Sequence, residues 1–227
     1  MPYPFAHPAA ILPLIGPLGR CAVPSALAIG SMVPDAWYFV PLIARDDSHS
    51  LAGLVWFCLP AGLLAYLAFH LLLKQPLLAL LPERAASRFA PFATPGLPAA
   101  PWRAVLLSLL IGACTHLAWD ALSHASRVLQ HASTLLGGAF VAWWVWRRLP
   151  QTAARALAVP ALSPAARRIT LAALVLLSAG WMAATEPSVL ARDPVGLREA
   201  LRGAGLAAMQ GLGLSTIGYA MLWKLLR

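Results

Sequence analysis

The stretch "CTHLAWDALSH", residues 114–124, sets His116, Asp120 and His124 at i, i+4 and i+8 in an otherwise apolar segment. On a helix that spacing puts all three on one face. Imidazole nitrogens and carboxylate oxygens bind divalent metals such as zinc, and a His–Asp pair four residues apart can grip one ion. The outer histidines stand roughly 12 Å apart along a helix axis at 1.5 Å per residue, so one ion reaches both only with strain. An aspartate between them is better placed to bridge two metals, about 3.5–4 Å apart in two-metal sites. A hydrogen-bonded His–Asp–His ladder that ties helices together accounts for the same residues, and this segment alone leaves both alternatives open.

What surrounds the three residues is a membrane-type chain. Of 227 residues, 60% are hydrophobic and only 11% charged, and the mean hydropathy is +0.72. Soluble domains carry about 25% charged residues. An aspartate central to a membrane helix costs about 2.5–3.5 kcal/mol on insertion scales, so such a residue faces the bundle interior and has a partner. The net charge of +9 forms no continuous basic stripe; it flanks apolar runs, which fits positive-inside loops better than nucleic-acid binding, so no nucleic-acid partner is expected. Cys21, Cys58 and Cys114 include no CxxC pair and read as buried structural thiols. The N-terminus has no Lys or Arg before its apolar stretch, which argues against a cleaved signal peptide.

Five stretches read as spans: Leu51–Leu73, Ala104–Leu122, Ala132–Trp146, Ile169–Thr185 and Ala204–Trp223. Gly53, Pro60 and Gly62 predict a kink or a close contact in the first. Eleven Lys and Arg fall in residues 74–103, 147–168 and the C-terminal end, against five on the other side, so the first set is expected in the cytoplasm. His49 and His124 then face away from it. Pro24, with Gly16-Pro17 and Gly19-Arg20, interrupts the N-terminal apolar run, so two short helices, about 8–16 and 24–33, are expected as a hairpin. That hairpin brings His7 and Asp35 to one end, on the side where His49 opens the Leu51 helix and the Asp120–His124 end emerges. His7, Asp35 and His49 taken singly fit a cap, a turn and a loop. Their co-location with His116, Asp120 and His124 is what points to a metal site near the outer face. His70 is expected near the other face, outside the site, and His131 and Gln130 lie beyond the helix end. All six histidines fall in residues 1–131.

The segments "FAHPAAILPL", "SALAIGSMVPDAWYF", "HSLAGL", "IGACTHLAWDALSH" and "LQHASTLLGG" together resemble a bacterial family of uncharacterised membrane proteins, domain of unknown function 4184, over about residues 1–148. That family is similar, distantly, to membrane-bound metal-dependent hydrolases and to zinc-dependent phospholipase C. The resemblance implies His116 and Asp120 as a His-x-x-x-Asp metal pair, with His7, Asp35, His49 and His124 as further ligands. The phospholipase's N-terminal amine and Glu ligands have no match here, so the expectation is one or two ions rather than three.

The expected protein is therefore all-α, a polytopic membrane bundle of about five transmembrane helices plus the N-terminal hairpin. Residues 1–148 form the family-like domain with the His/Asp site, and residues 149–227 a C-terminal pair of transmembrane helices. The expected function is metal-dependent hydrolysis of a phosphoester, of a lipid or an envelope precursor, with Asp35 and Asp120 catalytic and zinc as cofactor. The expected location is the bacterial inner membrane, in contact with its lipid. Two rivals are a non-catalytic scaffold or proton-relay transporter, and a b-type haem protein with axial histidines on two helices.

Overall fold

The computed structural model describes residues 4–39, 43–123, 126–148, 162–185 and 197–226. Every regular element among the described residues is helical. The longer ones are α1 (Pro24–Gly30), α2 (Leu51–Ala79), α3 (Trp102–Ser123), α4 (Arg127–Arg148), α5 (Pro164–Thr185) and α6 (Leu197–Leu225). Three of them, α2, α3 and α5, are long and apolar enough to cross a membrane. The expected spans at Ala132–Trp146 and Ala204–Trp223 fall in α4 and α6, which are long but not apolar enough to count. Gln130, Ser133 and Thr134 dilute the first, and Gln210, Ser215 and Thr216 the second.

Proline explains the irregular parts. Before α1 the chain runs through short α and 3-10 turns, Pro8–Ile11, Leu12–Leu14, Ile15–Leu18 and Gly19–Cys21. Pro13 and Pro17 each remove a backbone donor and crowd the preceding turn, so no long helix forms there. The break falls at Gly19, with φ +52°. Along α2, π-helical stretches at Leu54–Cys58 and Phe69–Leu73 lie just before Pro60 and Pro76. A π turn there absorbs the clash between a proline ring and the carbonyl four residues earlier.

The chain divides into two compact units, Met1–Ala68 with Leu97–Pro150, and Phe69–Gly96 with Gln151–Arg227. In the first, α3 is central. Its buried face runs through Val105, Ser108, Leu109, Gly112, Ala113, His116, Asp120 and Ser123, a helical spacing that turns from apolar to polar toward its C-terminal end. Val23, Ala26, Tyr66, Val105 and Leu109 form one apolar cluster, and Val33, Leu54, Cys58 and Ala113 another. Ile11, Leu12 and Leu27 form a third, covered by Val141 and Trp144 of α4. α1 crosses α3 at two glycines. A Cβ on Gly30 would collide with the backbone of Leu109, and one on Gly112 with the Leu27 carbonyl and the Ser31 amide. Ser108 adds a polar tie: its hydroxyl accepts from the Val23 amide (3.0 Å) and donates to the Cys21 carbonyl (3.2 Å).

In the second unit α5 and α6 pair closely. Gly211 admits Ser178 and Trp181 against α6, and the Ser178 hydroxyl donates to the Ala208 carbonyl at 2.6 Å. Lys74 donates to the Gly96 carbonyl (3.0 Å) and meets Nδ1 of His70 (3.3 Å), Gln75 donates to the Ala93 carbonyl (2.6 Å), and Tyr219 donates to that of Pro76 (3.2 Å).

Candidate metal centre

Four stretches of the first unit deliver ligand-type side chains to one place. His7 precedes the Pro8–Ile11 turn, and Asp35 lies in the 3-10 segment Val33–Tyr38 that follows α1. His49 ends the short helix Arg45–Ser48, and His116 and Asp120 lie one turn apart on α3. His7 and His116 are fully buried, and Asp35 is 1% exposed. Asp35 Oδ1 lies 3.6 Å from His49 Nε2 and 3.8 Å from His116 Nε2. Asp120 Oδ2 lies 3.7 Å from His49 Nε2 and 4.0 Å from His116 Nε2. The other Asp120 oxygen lies 3.8 Å from His7 Nε2, and the His7 and His116 rings stack with centroids 3.8 Å apart.

These separations are too long for hydrogen bonds, which fall at about 2.7–3.2 Å for N–H···O. They approach the edges of a coordination shell. Ligands about 2.0–2.2 Å from a tetrahedral zinc stand about 3.3–3.6 Å from one another. Asp35, His49, His116 and Asp120 supply four of the six edges of such a tetrahedron at 3.6–4.0 Å.

The tautomers agree with this geometry. Nδ1 of His116 meets the Ser31 carbonyl at 2.8 Å, and Nδ1 of His49 meets the Arg45 carbonyl at 3.1 Å. A carbonyl only accepts, so Nδ1 of His116 donates; Nδ1 of His49 also lies 2.9 Å from the Ser48 hydroxyl, whose proton goes to the same Arg45 carbonyl, and a neutral ring protonated at Nδ1 presents a lone pair at Nε2. A carbonyl behind the ring is the usual outer partner of a metal-bound histidine. Among the described residues, neither Nε2 nor either oxygen of Asp35 has a hydrogen-bond partner. Lone pairs therefore face a buried carboxylate. With neutral rings that arrangement is repulsive, and a metal ion or a proton on Nε2 relieves it; the donor set of imidazoles and carboxylates suits zinc.

The supports are equally specific. The Ser48 hydroxyl donates to the Arg45 carbonyl (2.8 Å), and the Cys58 thiol donates to that of Ser48 (3.4 Å). The π-helical turn of α2 thus holds the segment that carries His49. Ser50 caps α2, its hydroxyl accepting from the Gly53 amide at 2.8 Å. The guanidinium of Arg45 meets Asp120 Oδ2 at 3.2 Å.

The structure thus brings together His7, Asp35, His49, His116 and Asp120. The clusters able to hold an ion are His7–His116–Asp120 and Asp35–His49–His116. Asp120 divides its oxygens between His7 and the His49–His116 pair. His124, expected as a ligand, lies outside the described residues. His70 belongs to the second unit, beside Lys74, and His131 is exposed. Arg45 was not among the expected site residues. Its signal in the sequence was its place four residues before His49.

A helical protein with three candidate membrane spans and a buried His/Asp cluster is the class these observations define. The family described as a domain of unknown function, DUF4184, matches residues 1–128, and the chain belongs to it. All five clustered residues fall in the matched region. No curated protein and no solved structure matches the chain.

Proposed function

We propose that this chain is a membrane-embedded, zinc-dependent hydrolase of a phosphoester, acting on a lipid or envelope precursor from the outer face of the bacterial inner membrane. The observation that carries the metal is the set of bare acceptors. Two Nε2 lone pairs and a buried carboxylate face one another at 3.6–3.8 Å without a hydrogen bond among the described residues. A ladder of hydrogen bonds would draw these atoms to about 3 Å.

Asp35, His49 and His116 would hold the first ion. His7 and Asp120, with His116 shared, form the group that would hold a second. Zinc there would supply Lewis acidity, stabilising charge on a phosphoryl oxygen and acidifying a water molecule. Asp35 accepts the proton of the attacking water. His49 and His116, fixed by carbonyls at Nδ1, keep their orientation as charge develops. The choice of a phosphoester rests on the resemblance to zinc phospholipases and on the adjacent guanidinium.

The test is elemental analysis of protein purified in detergent without chelator. Wild type should carry about one or two zinc ions per chain. Asp120→Asn should lose metal and stay folded, and His70→Ala should keep it. Hydrolysis of bis(p-nitrophenyl) phosphate should vanish on chelation and in Asp35→Asn. Folded, metal-free wild type would end this reading in favour of a scaffold.

A further inference from the structure

At the C-terminal end of α2 a lysine is buried beside neutral partners. Lys74 is the first charged residue after the apolar run Leu51–Leu73, and it is 8% exposed. A run of that length covers the hydrocarbon thickness, about 30 Å at 1.5 Å per residue, so Lys74 falls at the level of the lipid headgroups. Its ammonium donates to the Gly96 carbonyl at 3.0 Å and meets Nδ1 of His70 at 3.3 Å. An ammonium cannot accept, so Nδ1 does, and the His70 ring is neutral. An ammonium also has three donors. Among the described residues, no further acceptor and no carboxylate reaches this one.

The neighbours of Lys74 are of the interfacial type. Tyr219 of α6 donates to the carbonyl of Pro76, two positions after Lys74, at 3.2 Å. Trp223 lies one turn further along α6, and Lys224 follows it. Tyr and Trp gather at the boundary between membrane and water, where their polar tips meet the headgroups. The loop that meets Lys74 is pinned to the same stretch, since Gln75 donates to the Ala93 carbonyl at 2.6 Å. That loop exposes Phe92 and turns at Gly96, with φ +78°. A cation taken out of water without an anion is costly. At this depth the headgroup layer supplies phosphates, and basic pockets between membrane helices bind anionic headgroups. The competing state is a neutral amine, whose two N–H groups satisfy Gly96 and His70 and leave nothing for a phosphate.

We propose that Lys74 is the phosphate-binding residue of an anionic-phospholipid site at this end of α2. The ammonium keeps its bonds to Gly96 and His70 and gives its third N–H to a phosphate oxygen of the headgroup. The bound lipid then neutralises the cation that holds the loop of Gly96 against α2. The site uses no residue of the His/Asp cluster and stands whether or not that cluster holds metal.

The test titrates full-length protein in detergent with dioctanoyl phosphatidylglycerol, dioctanoyl phosphatidylcholine and inorganic phosphate, with binding read by native mass spectrometry. Wild type should bind phosphatidylglycerol at least about ten-fold more tightly than either of the others. Lys74→Gln should lose that preference, and Lys74→Arg, which keeps the charge, should retain it. Phosphatidylglycerol bound equally by wild type and Lys74→Gln overturns the site. So does phosphatidylcholine bound as tightly as phosphatidylglycerol, because recognition then does not read the charge. Inorganic phosphate that binds as tightly as the lipid makes this a free-anion site and overturns the lipid assignment. Wild type that binds none of the probes leaves Lys74 as the neutral amine and overturns the proposal outright. If Lys74→Gln fails to fold, wild type is photolabelled with a phosphatidylglycerol that carries a headgroup diazirine. Label on residues 70–97 or 219–224 supports the site, and label confined to other segments overturns it.

Discussion

Asp35 presents two buried oxygens that no donor satisfies among the described residues. Its substitution should therefore act in opposite directions with and without metal. In chelated protein, Asp35→Asn removes a buried charge and should raise stability by about 1–3 kcal/mol. In zinc-saturated protein the same change removes a ligand and should lower it. Paired thermal melts of both proteins, with zinc and with chelator, check this. The same sign in both conditions would remove Asp35 from the ligand set. Asp35 could be suspected from its type and its place at the end of the expected hairpin, although after Pro34 it fits a turn when taken alone, but the carbonyl partner of His116 could not. That bond is made to backbone that only the folded chain brings near; Ser31 and His116 are 85 residues apart in sequence. Arg45 was legible only as a loop charge, because the residue it pairs with lies 75 positions away.

At the scale of elements, the crossing of α1 over α3 fixes the distance from the Ser31 carbonyl to His116. Gly112→Val forces the backbones apart at this crossing. Overpacking of this kind costs about 1–3 kcal/mol. It should also weaken zinc binding, because the Ser31 bond holds the His116 ring. Thermal melts and a zinc titration against a competing chelator measure the two effects, and an unchanged zinc affinity would show that the ring does not depend on the crossing. For α2, the charge asymmetry of the loops predicts its sidedness. After replacement of the native cysteines, Asp46→Cys should react with an impermeant maleimide in intact cells and Glu83→Cys should not. The reverse pattern would invert the orientation. The irregular turns of α2 were half legible. Pro60 announces a disturbance, but not that it becomes a π turn aiming Cys58 at the Ser48 carbonyl. The polar residues in α4 and α6 were visible in the sequence, and their cost to span-forming hydropathy outweighs the length of those helices.

For the molecule as a whole, the proposed ion acts as a cross-link between segments that the chain separates widely. Binding at 100-fold above the dissociation constant adds about 2.7 kcal/mol of stability. Chelation should therefore lower the melting temperature of zinc-loaded wild type by about 5–10 °C, reversibly, with no shift in Asp120→Asn. Equal melting of loaded and chelated wild type would deny the ion a structural role. The all-helical class and the membrane character followed from composition, since so few charges and such long apolar runs permit little else. The grouping of residues 69–96 with the C-terminal helices was not legible, because it involves contacts such as that of the Tyr219 hydroxyl with the Pro76 carbonyl, 143 residues apart in sequence. The spread of the clustered residues along the chain also has a consequence for biogenesis. His7, Asp35 and His49 leave the ribosome early, whereas His116 and Asp120 follow only after the whole of α2 and most of α3. A nascent chain arrested before α3 holds an incomplete shell. If the proposed zinc is bound, it would therefore enter only once α3 has joined the earlier segments, and each copy would hold its early ligands without an ion until the last ones arrive.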